Sequence, residues 1–266
     1  MHHPQFSNQN RPAQSRDRSR YLAKHVTANT VATDYVDAAL DSLRRHDMMR
    51  CPDPRMPSEM RDPHLPATDD WLPWQPIASS VTDQDIADLE AHFGGPLPSS
   101  YATFLKYRHF YDLTECGVRF ERHVIGRWKE ELLKLFNTYQ QHFPSGSHLV
   151  PFGHETFMDA GPVCFDYQNR HANGDCSIVI WDHEWVNTDQ EVKPMFSSSQ
   201  KMFEALTFVA TSEIGFVYGD PDEDSEEELI QKGHLLARFL AIDPNGTGGP
   251  AREYWTGWGV TPQIAK

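Results

Sequence analysis

The chain lacks the marks of most membrane proteins, nucleic-acid binders and secreted scaffolds. No stretch of its 266 residues reaches the roughly 20 apolar positions a membrane-spanning helix needs, and Met1–Asn10 has no apolar export core. Basic charge is scarce: 24 Lys and Arg stand against 38 Asp and Glu, a formal net charge of −14. That balance opposes the basic stripe a phosphate backbone demands, so neither nucleic acid nor a membrane is the expected partner. Cysteine is sparse too. Cys51, Cys116, Cys164 and Cys176 form no C-x-x-C pair and are too few for a disulfide framework, which fits a reducing, cytoplasmic setting.

Catalytic signatures are equally thin. There is no G-x-S-x-G elbow and no Walker loop, and Gly246-Thr247-Gly248-Gly249 lacks the lysine and following helix that cradle a phosphate, so it reads as a turn. Cys164 sits in an apolar run and reads as a buried, inert thiol. His154, Glu155 and Asp159, like Asp182-His183-Glu184, are metal-ligand types near predicted strand ends, but neither group has H-E-x-x-H or another ligand spacing. No metal, no cofactor and no enzymatic activity are expected. A hydrolase using His154, Asp159 and His183 is the remaining catalytic alternative, and it would require a bound metal.

What the chain does have is a clear division of composition. Residues 1–70 carry 10 basic and 10 acidic side chains, so the whole net charge lies beyond Asp70. Residues 1–30 are rich in Asn, Gln, Arg and Ser with little to bury, the composition of a disordered tail. After Thr33, a candidate N-cap, Val36, Ala39, Leu40 and Leu43 recur at helical spacing. Seven prolines between Cys51 and Pro76 forbid a regular helix there, so 31–76 reads as a docked helix followed by a linker or extended arm.

From residue 77 the pattern becomes that of a compact domain. Thr82 caps a helix with Ile86, Leu89 and Phe93 on one face and Gly94-Gly95 at its end; a second helix follows Leu97-Pro98, carrying Tyr101, Phe104 and Leu105. Gly117–Ile125 reads as a strand, and Arg127–Phe143 as an amphipathic helix stopped by Pro144. Leu149–Phe152, Pro162–Tyr167 and Ser177–Asp182 read as adjacent strands, and Ser197-Ser198-Ser199 as the start of a helix with Met202, Phe203 and Leu206. The expected fold is α+β, a central mixed or antiparallel sheet flanked by helices. Residues 216–266 form an acidic helical extension: seven of the ten residues Gly219–Glu228 are acidic, and Leu229, Leu236, Phe239 and Leu240 resume helical spacing.

One ordered set of short motifs is distinctive. Ile86-x-x-Leu89-Glu90-x-x-Phe93-Gly94 precedes Leu97-Pro98-x-x-Tyr101-x-x-Phe104-Leu105; then come Val150-Pro151-Phe152-Gly153, Gly161-x-Val163-Cys164-Phe165-Asp166 and Ile178-Val179-x-Trp181-Asp182-His183-Glu184. Over roughly residues 81–210 this order resembles the SUKH superfamily, in particular its Smi/Knr cell-wall-assembly-regulator type. The resemblance implies an α+β binding domain without an established catalytic site. Bacterial members of this kind resemble immunity proteins that neutralise a cognate toxin, often a nuclease; fungal ones resemble regulatory scaffolds. The Gly-Gly or Asn-Gly turn usual after the Phe-Leu helix is replaced here by Lys106–Thr114.

Together these readings lead to a non-enzymatic protein that binds a basic toxin domain, with a regulatory scaffold as the alternative. Asp159, Asp166, Asp182, His183 and Glu184, at turns flanking the sheet, are the candidate contacts. Asp222, Glu223 and Asp224, in the acidic run, form a second candidate surface. Deleting residues 1–70 is expected to spare a toxin complex formed by the core and to abolish scaffold function.

Overall fold

A computed structural model describes residues 30–189, 191–212 and 226–256, without the side chains of 226–232 and 256. The expected tail before Thr30 lies outside these residues, as do Asp222, Glu223 and Asp224. The fold is α+β. Its main sheet has six strands in the order β10-β9-β8-β7-β6-β5, every neighbouring pair antiparallel. These are β5 (Thr114–Glu115), β6 (Val118–Phe120), β7 (Leu149–Glu155), β8 (Pro162–Arg170), β9 (Cys176–Trp181) and β10 (Val192–Phe196). The three strands expected to be adjacent are β7, β8 and β9. The strand expected over Gly117–Ile125 is shorter, ending at Phe120, and β10 is an addition that the sequence pattern did not show.

Strand alternation explains why β8 and β9 read as near-continuous apolar runs. Val163, Phe165, Ile178 and Ile180 join the large core, whereas Cys164, Val179 and Trp181 face a smaller cluster on the other side of the sheet. Both faces are covered, so polar alternation disappears from the middle strands. The large core is aromatic: Phe152 stacks on Phe165 with ring centroids 4.3 Å apart, and Phe104 lies 4.7 Å from Phe120. On the smaller side, Tyr139 and Phe143 meet Trp181 edge to face.

Helices α2 (Asp83–Phe93), α3 (Ser99–Leu105), α4 (Trp128–Tyr139) and α5 (Ser199–Thr211) supply this cover. Thr82 and Asp85 form a reciprocal capping box at the start of α2, and left-handed Gly94 closes it. Ser198 caps α5 by accepting the Lys201 amide. Among the expected elements, α4 stops at Tyr139 rather than Phe143.

The largest difference from expectation concerns residues 31–76. Helix α1 (Val31–Arg45) docks deeply enough to be part of the core: Tyr35 and Val36 are fully buried, and the Tyr35 ring lies 5.6 Å from Phe120 and 5.7 Å from Phe203. The helix begins before Thr33, whose hydroxyl donates to the Thr30 carbonyl instead of capping. Of the two readings of the proline-rich stretch, a linker or an extended arm, the structure has the packed arm. β1 (Arg50–Cys51) pairs with β2 (Leu72–Pro73), a 3-10 turn spans Ser58–Met60, and Met56, Met60 and Trp74 are buried. β3 (Ile77–Ala78) then pairs with β4 (Arg108–His109), which occupies the segment where the usual family turn is replaced.

A partly buried ion pair fastens this arm. The Arg127 guanidinium donates to the Asp53 carboxylate at 2.6 Å, and Trp74 lies 6.1 Å from Tyr111. Burial pushes the Asp53 carboxyl up, but the Arg127 hydrogen bond and the Arg55 amide outweigh it and hold the group below the ordinary aspartate range. Nearby, His109 and His123 stack with ring centroids 4.7 Å apart. Burial, reinforced by the neighbouring His109, pushes His123 down to about 3, so the pair is neutral at ordinary pH.

The C-terminal extension closes the opposite flank. α6 (Glu226–Ile242) and α7 (Arg252–Thr256) are joined by the Gly-rich segment, which is the expected turn. Buried Asp243 accepts the Ser197 amide and hydroxyl and the Gly246 amide. The Trp255 indole donates to the Met195 carbonyl on β10, and its ring lies 5.1 Å from Phe196. With Pro194 lacking an N–H as well, the β10 edge is poorly disposed to pair with another strand.

Candidate functional site

Antiparallel order places three hairpin turns at one end of the main sheet: Cys116-Gly117 between β5 and β6, residues 156–161 between β7 and β8, and residues 182–191 between β9 and β10. Each contains a non-glycine residue with positive φ, namely Cys116 at 43°, Asp159 at 54° and Asn187 at 65°. Left-handed backbone of this kind costs about 1–2 kcal/mol per residue and persists only where surrounding contacts over-determine it.

Those contacts come from buried acids. Glu155, 1% exposed, accepts the backbone amides of Phe157 (2.8 Å), Met158 (2.9 Å) and Ala160 (3.2 Å). Glu191 accepts the Trp181 indole and the Asn187 amide, both bracing the β9–β10 turn. Asp182, 3% exposed, accepts the Glu184 amide and the Lys193 ammonium at 2.6 Å. His183 ties the two larger turns together: its amide and its Nδ1–H both donate to the Ala160 carbonyl, at 3.0 and 2.5 Å. Gly161 permits this crossing, since a Cβ there would lie 2.4 Å from the Trp181 carbonyl oxygen.

The outer surface of these braced turns is unusual in what it leaves open. Met158, Trp185 and Val186 are 46, 44 and 41% exposed, among exposed Asp159, His183, Glu184 and Asp189. The Lys193 ammonium lies 5.5 Å from the Trp185 ring centroid, holding the indole by a cation–π contact. The structure therefore brings Asp159, His183 and Glu184 to one surface, with Asp182 beneath it as a turn-bracing residue. Asp166 lies elsewhere, opposite Leu149 on β7, where its carboxyl accepts the Gln168 and Asn169 amides.

Sequence reasoning missed Met158, Trp185, Val186 and Asp189. The available signal was local: large apolar residues set inside polar turn segments, where burial in a strand or helix is not on offer.

The groups considered for catalysis have other occupations. His154 pairs with Glu121 at 3.2 Å, whereas His183 is turned to Ala160. Among the described residues no three His, Cys, Asp or Glu converge in a way that could hold a metal ion. All four cysteines are free and buried; burial pushes the Cys116 and Cys164 thiols far up and Cys176 to about 11, unreactive states. Glu115, 5% exposed on β5, is raised to about 7 by burial. No helix among the described residues is long and apolar enough to cross a membrane.

Residues 80–205, just under half of the chain, match the SMI1 / KNR4 family (SUKH-1), which makes this segment a domain of that family. The match begins just before α2 and ends within α5, taking in the whole main sheet and leaving α1, the proline-rich arm, α6 and α7 outside it. A search of curated proteins finds no match.

Proposed function

We propose that this is a non-enzymatic, cytoplasmic binding protein of the immunity type, which docks the turn-bearing end of its sheet onto a basic protein toxin and occludes it. The observation that carries the reading is the surface formed by Met158, Trp185 and Val186 among Asp159, Glu184 and Asp189. An exposed tryptophan and methionine on a braced backbone supply desolvating contacts at low entropic cost, and the surrounding carboxylates favour a cationic partner and speed its approach. The net charge of −14 acts in the same direction over longer range.

The test compares the wild-type protein with Trp185→Ser and with Glu184→Lys as affinity baits in the native host. The proposal expects a stoichiometric basic protein that both variants lose, and whose toxicity on expression is relieved by the wild type alone. Equal capture by all three baits would overturn this surface. Glu184→Lys is expected to change stability by no more than about 0.5 kcal/mol, because its side chain is 76% exposed.

A scaffold reading draws on a different place. Leu65 and Trp71 are 44 and 48% exposed on the proline-rich arm, outside the family segment. Between them, Asp69 and Asp70 form the tip of a tight hairpin, closed by reciprocal Thr68 and Trp71 backbone bonds, with both aspartates at positive φ. Partner loss on Trp71→Ser, with retention on Trp185→Ser, would favour the scaffold.

A further inference from the structure

The turn that presents Met158 and Asp159 is not braced by the family segment alone. Glu155 has a fourth donor: the hydroxyl of Tyr254, on α7, at 3.0 Å from the same Oε1 that accepts the Phe157 amide. The surroundings accommodate this contact closely. Gly117 lies at φ +79°, and a Cβ there would meet the Phe157 ring at 2.8 Å and the Tyr254 hydroxyl at 3.1 Å. Thr156 donates its amide to the Gly117 carbonyl, so the β5–β6 turn, the β7–β8 turn and α7 meet around one carboxyl group.

Tyr254 is in turn held in place by its neighbour. Trp255 is anchored through its indole to the Met195 carbonyl and packs edge to face on Phe239 at 4.9 Å. α7 therefore links β10 and the end of α6 to the β7–β8 turn, although it lies some fifty residues beyond the family match.

We propose that Tyr254 is a positioning residue: its hydroxyl fixes the Glu155 carboxyl in the orientation that gathers the turn amides, so that the C-terminal extension sets the shape of the docking surface. The inference rests on the docking reading for its purpose but not for its physics. A carboxyl group that loses one of four donors is held less firmly among the remaining three. The amides it gathers then open more often. Binding would weaken through a less pre-organised surface rather than through a lost contact.

The experiment is amide hydrogen exchange on the free full-length protein, wild type against Tyr254→Phe, a change that removes only the hydroxyl. Exchange at Phe157, Met158 and Ala160 is expected to accelerate about fivefold to tenfold, the scale of one typical net hydrogen-bond contribution. The amide of Ile178, on the fully buried middle of β9, is expected to be unchanged. Unaltered exchange at the three turn amides would overturn the proposal. Equal acceleration at the turn and at Ile178 would also overturn it, since that is a global stability effect. None of these readouts involves a partner, so the docking reading can fail independently in the capture experiment.

Discussion

The segment that matches the family and the segments that flank it differ in recognisability but not in depth. Residues 80–205 contain the entire main sheet and both large presenting turns. Yet α1, outside the match, buries eight of its fifteen residues, whereas α2, inside it, buries three of eleven. Flank and family segment contribute to one continuous core in which Tyr35, Phe104, Phe120 and Phe203 touch. The boundary of sequence similarity is therefore not a folding boundary. Deleting residues 1–70 removes α1 and bares this core around Tyr35 and Val36, so the truncation tests the stability of the domain together with any complex it forms.

The largest effect that would sharpen this comparison comes from the flank's centre. Tyr35→Ala is expected to cost about 3–5 kcal/mol in urea unfolding, the range for truncating a buried aromatic side chain. A loss under 1 kcal/mol would return α1 to the status of an accessory.

Next comes the arm's fastening. Asp53→Ala leaves the Arg127 guanidinium without its carboxylate and is expected to cost about 2–3 kcal/mol at pH 7. The pH dependence has a definite sign. Because the folded-state carboxyl is held below its unfolded value, the pair stabilises above the ordinary aspartate range, and that contribution is lost as pH falls through the depressed folded value. The penalty measured at pH 7 should therefore shrink in strong acid.

Glu115 behaves oppositely. Its folded value of about 7 exceeds the unfolded glutamate value, so ionisation works against the fold, and stability declines as pH rises from about 4.5 to 7. Substituting Glu115→Gln removes that slope: between pH 4.5 and 8 the difference between variant and wild type should move by on the order of 2–3 kcal/mol in the variant's favour. Parallel pH profiles would contradict the burial argument.

The smallest effect lies inside the family segment. Thr82→Ala removes the α2 capping box at an expected cost of about 1 kcal/mol by thermal or urea unfolding. A family-segment cap thus matters less than a single flank aromatic.

What the sequence made legible follows the range of the interactions. Thr82 was readable as a cap, and the α5 cap as one of Ser197, Ser198 and Ser199, because the partners are three residues away. The start of α1 was placed too late because Thr30 makes no side-chain cap and leaves no local mark. Linker and extended arm could not be told apart because prolines speak only for the local backbone, while burial of the arm depends on Arg127 and Tyr111, far along the chain. β10 escaped notice because Lys193 and Pro194 interrupt its apolar pattern. In the candidate site, Asp159, His183 and Glu184 were readable as turn residues. Asp182 gave no sign that Lys193 would bury it, nor could Glu155 reveal a partner as distant as Tyr254.

The most direct test of the single-core account is native-state hydrogen exchange followed by mass spectrometry across a urea series, comparing peptides from residues 31–45 with peptides from residues 176–181. The account requires both regions to lose protection at the same urea concentration, as one cooperative unit. Loss of protection in α1 at lower urea, with β9 still protected, would show that the family segment folds without its flank and would contradict it.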